Sequence, residues 1–118
     1  GTYHGKRVQA AGGAKNHLII MPDADMDQTV KALAASAYGC AGQRCMAGSV
    51  AVAVGAAGDP VVEGLVAHAK TLKVGPSDGD ESIEVGPVIR KEHQNRVASY
   101  LDIAKQDGAS VALDGRSY

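Results

Sequence analysis

Short apolar runs alternate along this chain with longer segments in which apolar residues recur at helical spacing. The first run covers residues 17–21 and ends at Pro22, and the second covers residues 49–54 and is rich in β-branched valine. Short continuous runs of this kind are typical of strands buried on both faces, as in a parallel sheet. A third run, at residues 110–113, also predicts a strand.

Three amphipathic helices are predicted from apolar positions that lie three or four residues apart. The first has Asp23 and Asp25 as cap candidates and stops at Gly39, and the second starts with Asp59 as its cap and Pro60 as its first helical residue. The third covers about residues 91–106 and ends at Gly108. The apolar stripes expected to face the core are Met26, Val30, Leu33, Ala34 and Ala37; Val62, Leu65, Val66 and Ala69; and Val97, Leu101 and Ala104.

The order strand, helix, strand, helix, helix, strand predicts an α/β layer structure whose parallel strands are joined by right-handed crossovers. A chain of 118 residues suits one domain with a single modest core. Because the chain has no Phe or Trp and only four Tyr, that core must be built from Ala, Val, Leu and Ile.

Composition narrows the classes of function. The chain is 45% hydrophobic and 21% charged, which is typical of a globular protein rather than a disordered one. A net charge of −1 gives no electrostatic case for binding nucleic acid or an anionic membrane. No apolar run approaches the roughly 20 residues of a membrane helix. The histidines are scattered without the spacing of metal ligands, so no metal site is predicted.

The pair Arg44 and Cys45 stands between small residues after the first predicted helix. An adjacent cation favours the nucleophilic thiolate form of a cysteine, and the small neighbours Ala47 and Gly48 leave room for a substrate. They also let backbone N–H groups approach a developing oxyanion. From spacing alone, the alternative of a buried, unreactive thiol stays open.

The other cysteine, Cys40, lies five residues before Cys45. Two cysteines this close cannot form the disulfide framework of a small secreted protein, so a cytoplasmic location is predicted, with the mitochondrial matrix as the alternative. A regulatory disulfide between the two thiols is a further alternative that the sequence leaves open.

A glycine pair, Gly12 and Gly13, precedes the first predicted strand. Glycines let a backbone come close to a ligand, but they also serve in ordinary turns. The pair lacks the preceding strand and following helix of a dinucleotide-binding fingerprint, so both interpretations remain.

Taken together, these motifs resemble the aldehyde dehydrogenase superfamily over nearly the whole chain. Within it, three segments are similar to the methylmalonate-semialdehyde dehydrogenase branch. They are Gly-Lys-Arg-Val-Gln-Ala at residues 5–10, Gly-Ala-Lys-Asn-His at residues 13–17 and Gln-Arg-Cys-Met-Ala at residues 43–47. Residues 22–27, 72–75 and 86–89 also match family segments in order and spacing.

By this resemblance, residues 1–118 are the N-terminal part of the three-layer, parallel-sheet α/β catalytic domain of the aldehyde dehydrogenase fold. Cys45 matches the catalytic nucleophile, whose backbone N–H helps to hold the oxyanion. Arg44 matches the branch's substrate-binding arginine, which grips the carboxylate of a semialdehyde acid. Gly12 matches a position where the backbone meets the nicotinamide end of NAD.

One departure from most of the family concerns the general base. Most aldehyde dehydrogenases carry a glutamate just before the glycine pair, whereas residues 9–11 are Gln-Ala-Ala. Without a base to activate water, the resemblance implies acyl transfer to coenzyme A, with loss of the carboxylate carbon, rather than hydrolysis. The branch acts on methylmalonate or malonate semialdehyde.

The family's cofactor domain is absent from these 118 residues. The resemblance therefore implies a longer parent protein, expected to be a homo-oligomer, and an isolated chain that is inactive. Two alternatives remain at this point. The chain is a catalytically silent truncated domain, or it comes from a different aldehyde dehydrogenase that oxidises a simple aldehyde to its acid.

Overall fold

The computed structural model describes residues 1–117. Two parallel strands, β1 (Asn16–Ile20) and β2 (Gly48–Ala53), are connected through helix α1 (Met26–Tyr38). Helices α2 (Gly58–Ala69) and α3 (Lys91–Gln106) follow β2. The predicted order of elements is therefore confirmed as far as α3.

Both ends of α1 are set by residues that the sequence singles out. The Asp25 carboxylate accepts a hydrogen bond from the Gln28 backbone N–H at 3.0 Å, which caps one of the unpaired N–H groups of the first turn. At the other end, the Gly39 N–H donates to the Ala35 carbonyl, and the helix stops there. The predicted stop at Gly39 is confirmed.

The predicted start of α2 is wrong by two residues. The helix begins at Gly58, directly after a 3-10 turn at Gly55–Ala57, so Asp59 is not its cap. Pro60 remains in the first turn, where its missing N–H removes no intrahelical bond. The bounds of α3 agree with the prediction, and Gly108 follows it with a φ of 85°, a left-handed conformation that suits glycine.

The core lies where α1 crosses α2 over one face of the sheet. Its buried cluster consists of Ile20, Leu33, Ala57 and Val61, and all four are aliphatic, as predicted. Helices α1 and α2 approach closely at Gly64, where an added Cβ would lie 2.5 Å from a methyl carbon of Val30. Any larger residue at this position would push the two helices apart.

The second face of the sheet is open in the described chain. Along β1 the burial alternates, so that Ile20 is 5% exposed while Ile19 is 70% exposed. The prediction that this strand is buried on both faces is therefore wrong for residues 1–117. Ile19 pairs with Val52 of β2, which is also exposed, and the two form an apolar patch on the open face.

This patch predicts that the isolated chain self-associates, because exposed apolar faces and unpaired strand edges favour contact between copies. Light scattering across a wide concentration range should show a mass that rises with concentration. Ile19→Lys should reduce the association. Val97→Lys, a matched change on α3, should not, and a wild-type chain that stays a monodisperse monomer would contradict the prediction.

The predicted third strand at residues 110–113 is wrong. This segment lines a groove with apolar residues of α2 and α3 instead of pairing with a strand. Arg116, just after it, donates a 2.8 Å hydrogen bond to Asp102 of α3 and also binds Asp114. The hydrogen bonds that Asp114 accepts from the Arg116 side chain and backbone lower the pKa of Asp114 to about 2. The segment is thus tied beside α3, and among residues 1–117 it pairs with no strand.

The inward-facing stripe predicted for α3 is only partly right. Leu101 and Ala104 line the groove with the apolar stripe of α2 and are partly buried. Val97, one turn earlier, is 53% exposed, so its predicted inward position is wrong. The same holds for Val62 of α2, which is exposed, whereas its neighbour Val61 is buried in the core. Within the described residues, no helix is both long enough and apolar enough to cross a membrane.

Candidate active site

The predicted nucleophile lies in a tight turn between α1 and β2. We call residues 43–47 the nucleophile loop. Before it, Cys40, Ala41 and Gly42 all adopt positive φ values, of 53°, 53° and 71°. The left-handed conformation costs a non-glycine residue about 1–2 kcal/mol, and two of these three residues, Cys40 and Ala41, bear that cost.

The nucleophile loop is anchored from two elements. From β1, the side-chain amide of Asn16 donates 3.0 Å hydrogen bonds to the carbonyls of Cys45 and Ala47. From α1, the Ser36 hydroxyl accepts a 2.9 Å hydrogen bond from the Gly48 N–H. β2 begins directly after this loop, and β1 begins beside it at Asn16. The site therefore lies at the amino-terminal edge of the parallel sheet.

Both cysteines are exposed free thiols. The alternative in which the Cys45 thiol is buried is therefore wrong for residues 1–117, and the disulfide with Cys40 is not formed in this structure. Within residues 1–117, the Cys45 backbone N–H has no hydrogen-bond acceptor, so it can donate to an oxyanion.

Arg44 lies against the carboxyl end of α1. Its Nη2 donates a 3.3 Å hydrogen bond to the Ala35 carbonyl, where the helix dipole favours a positive charge. The guanidinium occupies the space that a side chain at position 39 would need, so a larger residue there would displace Arg44 from this position. The Arg44 side chain is thus held by the helix, and the residue also borders the cleft that contains Cys45.

The structure brings the three predicted site residues, Gly12, Arg44 and Cys45, to one open cleft of about 530 Å³. A Cβ at Gly12 would meet no atom within 4 Å, and its φ is not positive. Neither packing nor backbone conformation in the described chain demands glycine there. The complete lining is Ala11, Gly12, Gly13, Ala14, Asn16, Gly42, Arg44, Cys45, Ala47 and Ser49.

None of these lining residues is a carboxylate, in agreement with the absence of a glutamate at residues 9–11. No group of three or more potential metal ligands occurs in the part of the chain that the structure describes. His17 lies outside the cleft lining, and its Nδ1 lies 3.0 Å from the Lys15 carbonyl, as expected of a structural histidine.

The sequence analysis missed Asn16 and Ser36, which anchor the nucleophile loop. Each stands at a long sequence separation from the atoms it binds, and no local pattern reveals such a contact. The single available signal is that Asn16 directly follows the glycine turn and begins β1.

Comparison with known proteins shows which family the chain matches and which solved structures share its fold. The sequence model of the aldehyde dehydrogenase family matches residues 1–118. Over 113 residues the chain is 51% identical to malonate-semialdehyde dehydrogenase 2 of Geobacillus kaustophilus, covering 96% of this chain and 23% of that protein.

Two solved structures are closely similar. Methylmalonate-semialdehyde dehydrogenase from Oceanimonas doudoroffii is 53% identical with a TM-score of 0.88, covering 98% of this chain and 24% of that one. A protein from Sinorhizobium meliloti 1021, provisionally assigned as a methylmalonate-semialdehyde dehydrogenase and complexed with NAD, is 47% identical with a TM-score of 0.89, covering 99% of this chain and 24% of that one. The chain therefore has the same α/β fold as part of these proteins, and it spans about a quarter of their length.

Proposed function

The chain belongs to the aldehyde dehydrogenase family, and from that premise we propose that it is the nucleophile-bearing part of a methylmalonate- or malonate-semialdehyde dehydrogenase that uses NAD and acylates coenzyme A. In this proposal residues 1–118 are the N-terminal part of the catalytic domain of a longer parent enzyme. The observation that carries it is the cleft in which the exposed Cys45 thiol adjoins Arg44 and no carboxylate.

Cys45 performs the first chemical step. Its thiolate attacks the aldehyde carbon, a C–S bond forms, and the carbonyl electron pair moves to oxygen to give a hemithioacetal. The unpaired Cys45 N–H donates to this oxyanion, where charge develops in the transition state. NAD, when bound, supplies the hydride acceptor. Loss of the hydride leaves a thioester on Cys45.

Arg44 recognises the carboxylate of the semialdehyde. A guanidinium offers five N–H donors in a planar fork that matches a carboxylate. One of these donors is used on the Ala35 carbonyl, which holds the side chain in place before substrate arrives. Such preorganisation reduces the conformational entropy that is lost on binding.

The lack of a carboxylate in the cleft favours transfer of the acyl group from the thioester over its hydrolysis. With no side-chain base beside it to deprotonate water, hydrolysis is slow. The acyl group is instead passed to the thiol of coenzyme A, which frees Cys45. On the way to the product the carboxylate leaves as CO₂, its bonding electron pair stays on the adjacent carbon as a thioester enolate, and that carbon takes up a proton from solvent. The products are an acyl-coenzyme A, CO₂ and NADH.

The glycine turn fits the nicotinamide end of NAD. Gly12 borders the cleft beside Cys45, and the space over its Cα is open to more than 4 Å. A flat ring can therefore lie against the backbone at this point. The remainder of the NAD site, and the contacts of a homo-oligomer in the cytoplasm, belong to the parts of the parent enzyme outside this chain.

The proposal predicts that turnover of the parent enzyme depends on coenzyme A. With methylmalonate or malonate semialdehyde and NAD alone, NADH formation should stop after about one equivalent per active site, since the thioester accumulates. Adding coenzyme A should restore steady turnover, with acyl-coenzyme A formed in equal amount. Steady NADH production with release of the free acid, without coenzyme A, would instead identify an ordinary hydrolytic aldehyde dehydrogenase.

The isolated 118-residue chain is expected to produce no NADH with either semialdehyde, because the chain contains only part of the proposed cofactor site. Absorbance at the NADH band checks this directly, with the parent enzyme as the positive control. NADH formation by the isolated chain that disappears in Cys45→Ser would show that the remaining domains are unnecessary.

A further inference from the structure

The Asn16 side chain connects the start of β1 to the nucleophile loop. Its Nδ2 lies 3.0 Å from both the Cys45 and the Ala47 carbonyl oxygens. A side-chain amide carries two N–H donors on one nitrogen, so a single Asn can satisfy both carbonyls at once. The two carbonyls lie on either side of Met46, and together they fix this part of the loop to the sheet.

A separate hydrogen bond fixes the peptide group on each side of Cys45. The Arg44 carbonyl accepts a 3.1 Å hydrogen bond from the Ala47 N–H, which sets the plane of the peptide before Cys45. Asn16 sets the plane of the peptide after it. In a trans peptide the N–H points opposite to the C=O, so the Cys45 N–H is directed away from the Ala47 N–H. With both planes set, the Cα–Cβ bond that carries the thiol and the N–H of Cys45 keep a fixed relative orientation.

An irregular strand register accompanies the position of Asn16. Pairing is regular from His17 with Val50 onwards, but Asn16 pairs with Gly48, so Ser49 is an extra residue on β2. Such bulges re-aim side chains and occur beside functional sites. Asn16 is partly buried and borders the cleft, where its amide reaches the loop.

We propose that Asn16 is a positioning residue for the reaction assigned to Cys45, acting through the orientation of the nucleophile and its oxyanion-binding N–H. We call the two hydrogen bonds from Asn16 to the nucleophile loop the clamp. The effect of the clamp on catalysis rests on the proposed function, whereas the existence of the clamp does not. A misplacement of reacting groups by about 1 Å lowers a rate by about 100-fold, so loss of the clamp acts on kcat rather than on substrate affinity.

The test uses the full-length parent enzyme and the variants Asn16→Ala and Asn16→Asp. Both should lower kcat by about 100-fold while KM for the semialdehyde and for NAD changes by no more than about twofold. Amide hydrogen exchange in residues 43–48 should become about 10- to 100-fold faster, with α2 unchanged. Asn16→Asp should be no better than Asn16→Ala, because a carboxylate of the same shape has no proton to donate to the two carbonyls.

The matched control is Asn95→Asp, the same change at an exposed position on α3. It should alter neither kcat nor hydrogen exchange. An unchanged kcat in Asn16→Ala would overturn the proposal. So would exchange that accelerates equally in α2, since Asn16 would then act on the stability of the whole fold.

The same experiment separates this proposal from the proposed function. If the wild-type parent enzyme oxidises neither semialdehyde, the proposed function fails, and the exchange measurement alone decides the clamp. Faster exchange confined to residues 43–48 in Asn16→Ala would then support the clamp, and unchanged exchange there would overturn it.

Discussion

Cys45→Ala in the parent enzyme is expected to abolish NAD-dependent oxidation of every aldehyde, with or without a carboxylate. The variant has no atom that can form the C–S bond, so neither the hemithioacetal nor the thioester can exist. Loss of a covalent nucleophile lowers kcat by on the order of 10⁵- to 10⁶-fold. NADH formation measures the loss, and retained NAD binding by calorimetry shows that the variant is folded.

Cys40→Ala is the matched control for this prediction. Cys40 is the other exposed free thiol, and it precedes the same loop. Its φ of 53° suits alanine no worse than cysteine, so the backbone there should not change. Activity should therefore be retained. If Cys40→Ala is inactive and Cys45→Ala is not, the nucleophile has been assigned to the wrong cysteine.

Arg44→Leu is expected to lower kcat/KM for the semialdehyde by roughly 30- to 1,000-fold and to spare propanal. The variant keeps the nucleophile but removes the partner of the substrate carboxylate, and a charge-assisted pair of this kind is worth on the order of 2–4 kcal/mol when one side is deleted. Propanal has no carboxylate, so it gains nothing from the guanidinium. Steady-state kinetics with both substrates measure the difference.

Two further measurements test whether the effect of Arg44→Leu comes from the lost carboxylate contact. The change also removes the hydrogen bond to the Ala35 carbonyl, so the thermal midpoint of the variant should be compared with that of wild type. Arg44→Lys keeps the charge but lacks the planar fork of the guanidinium. Its kcat/KM for the semialdehyde should therefore lie between those of Arg44→Leu and wild type. An equal loss on propanal and semialdehyde would mean that Arg44 acts on the Cys45 thiolate instead.

The helices were largely determined by local sequence. The apolar spacing and the terminal Gly108 predicted α3 with its observed bounds, and Asp25 and Gly39 marked the two ends of α1. Caps and amphipathic stripes act within a few residues, so their effect can be read without knowing the rest of the fold. The two strands at residues 17–21 and 49–54 were likewise placed to within one residue.

Predictions failed where the outcome depended on a distant partner. Residues 110–113 have the composition of a strand, but Arg116 ties the adjoining turn to Asp102 of α3. A strand exists only if another strand pairs with it, and an apolar run does not specify that partner. Val97 and Ile19 were expected to be buried, yet both are exposed because no element of the described chain covers them.

The sequence by itself determined the chemistry of the site. It placed Arg44 beside Cys45, surrounded them with small residues and left residues 9–11 without a carboxylate. Each of these is a property of neighbouring positions, which the order of residues states directly. Together with the wider motif pattern they were sufficient to indicate the family, which the comparisons confirm.

Only the tertiary structure decided how that chemistry is held. Parallel pairing of β1 with β2 brings Gly12 and Cys45, 33 positions apart, to one cleft, and it lets Asn16 reach the nucleophile loop. Exposure of the Cys45 thiol likewise depends on what packs around it. Such contacts depend on the register in which β1 pairs with β2. A one-residue shift of that register would break them, although the local sequence pattern would be unchanged.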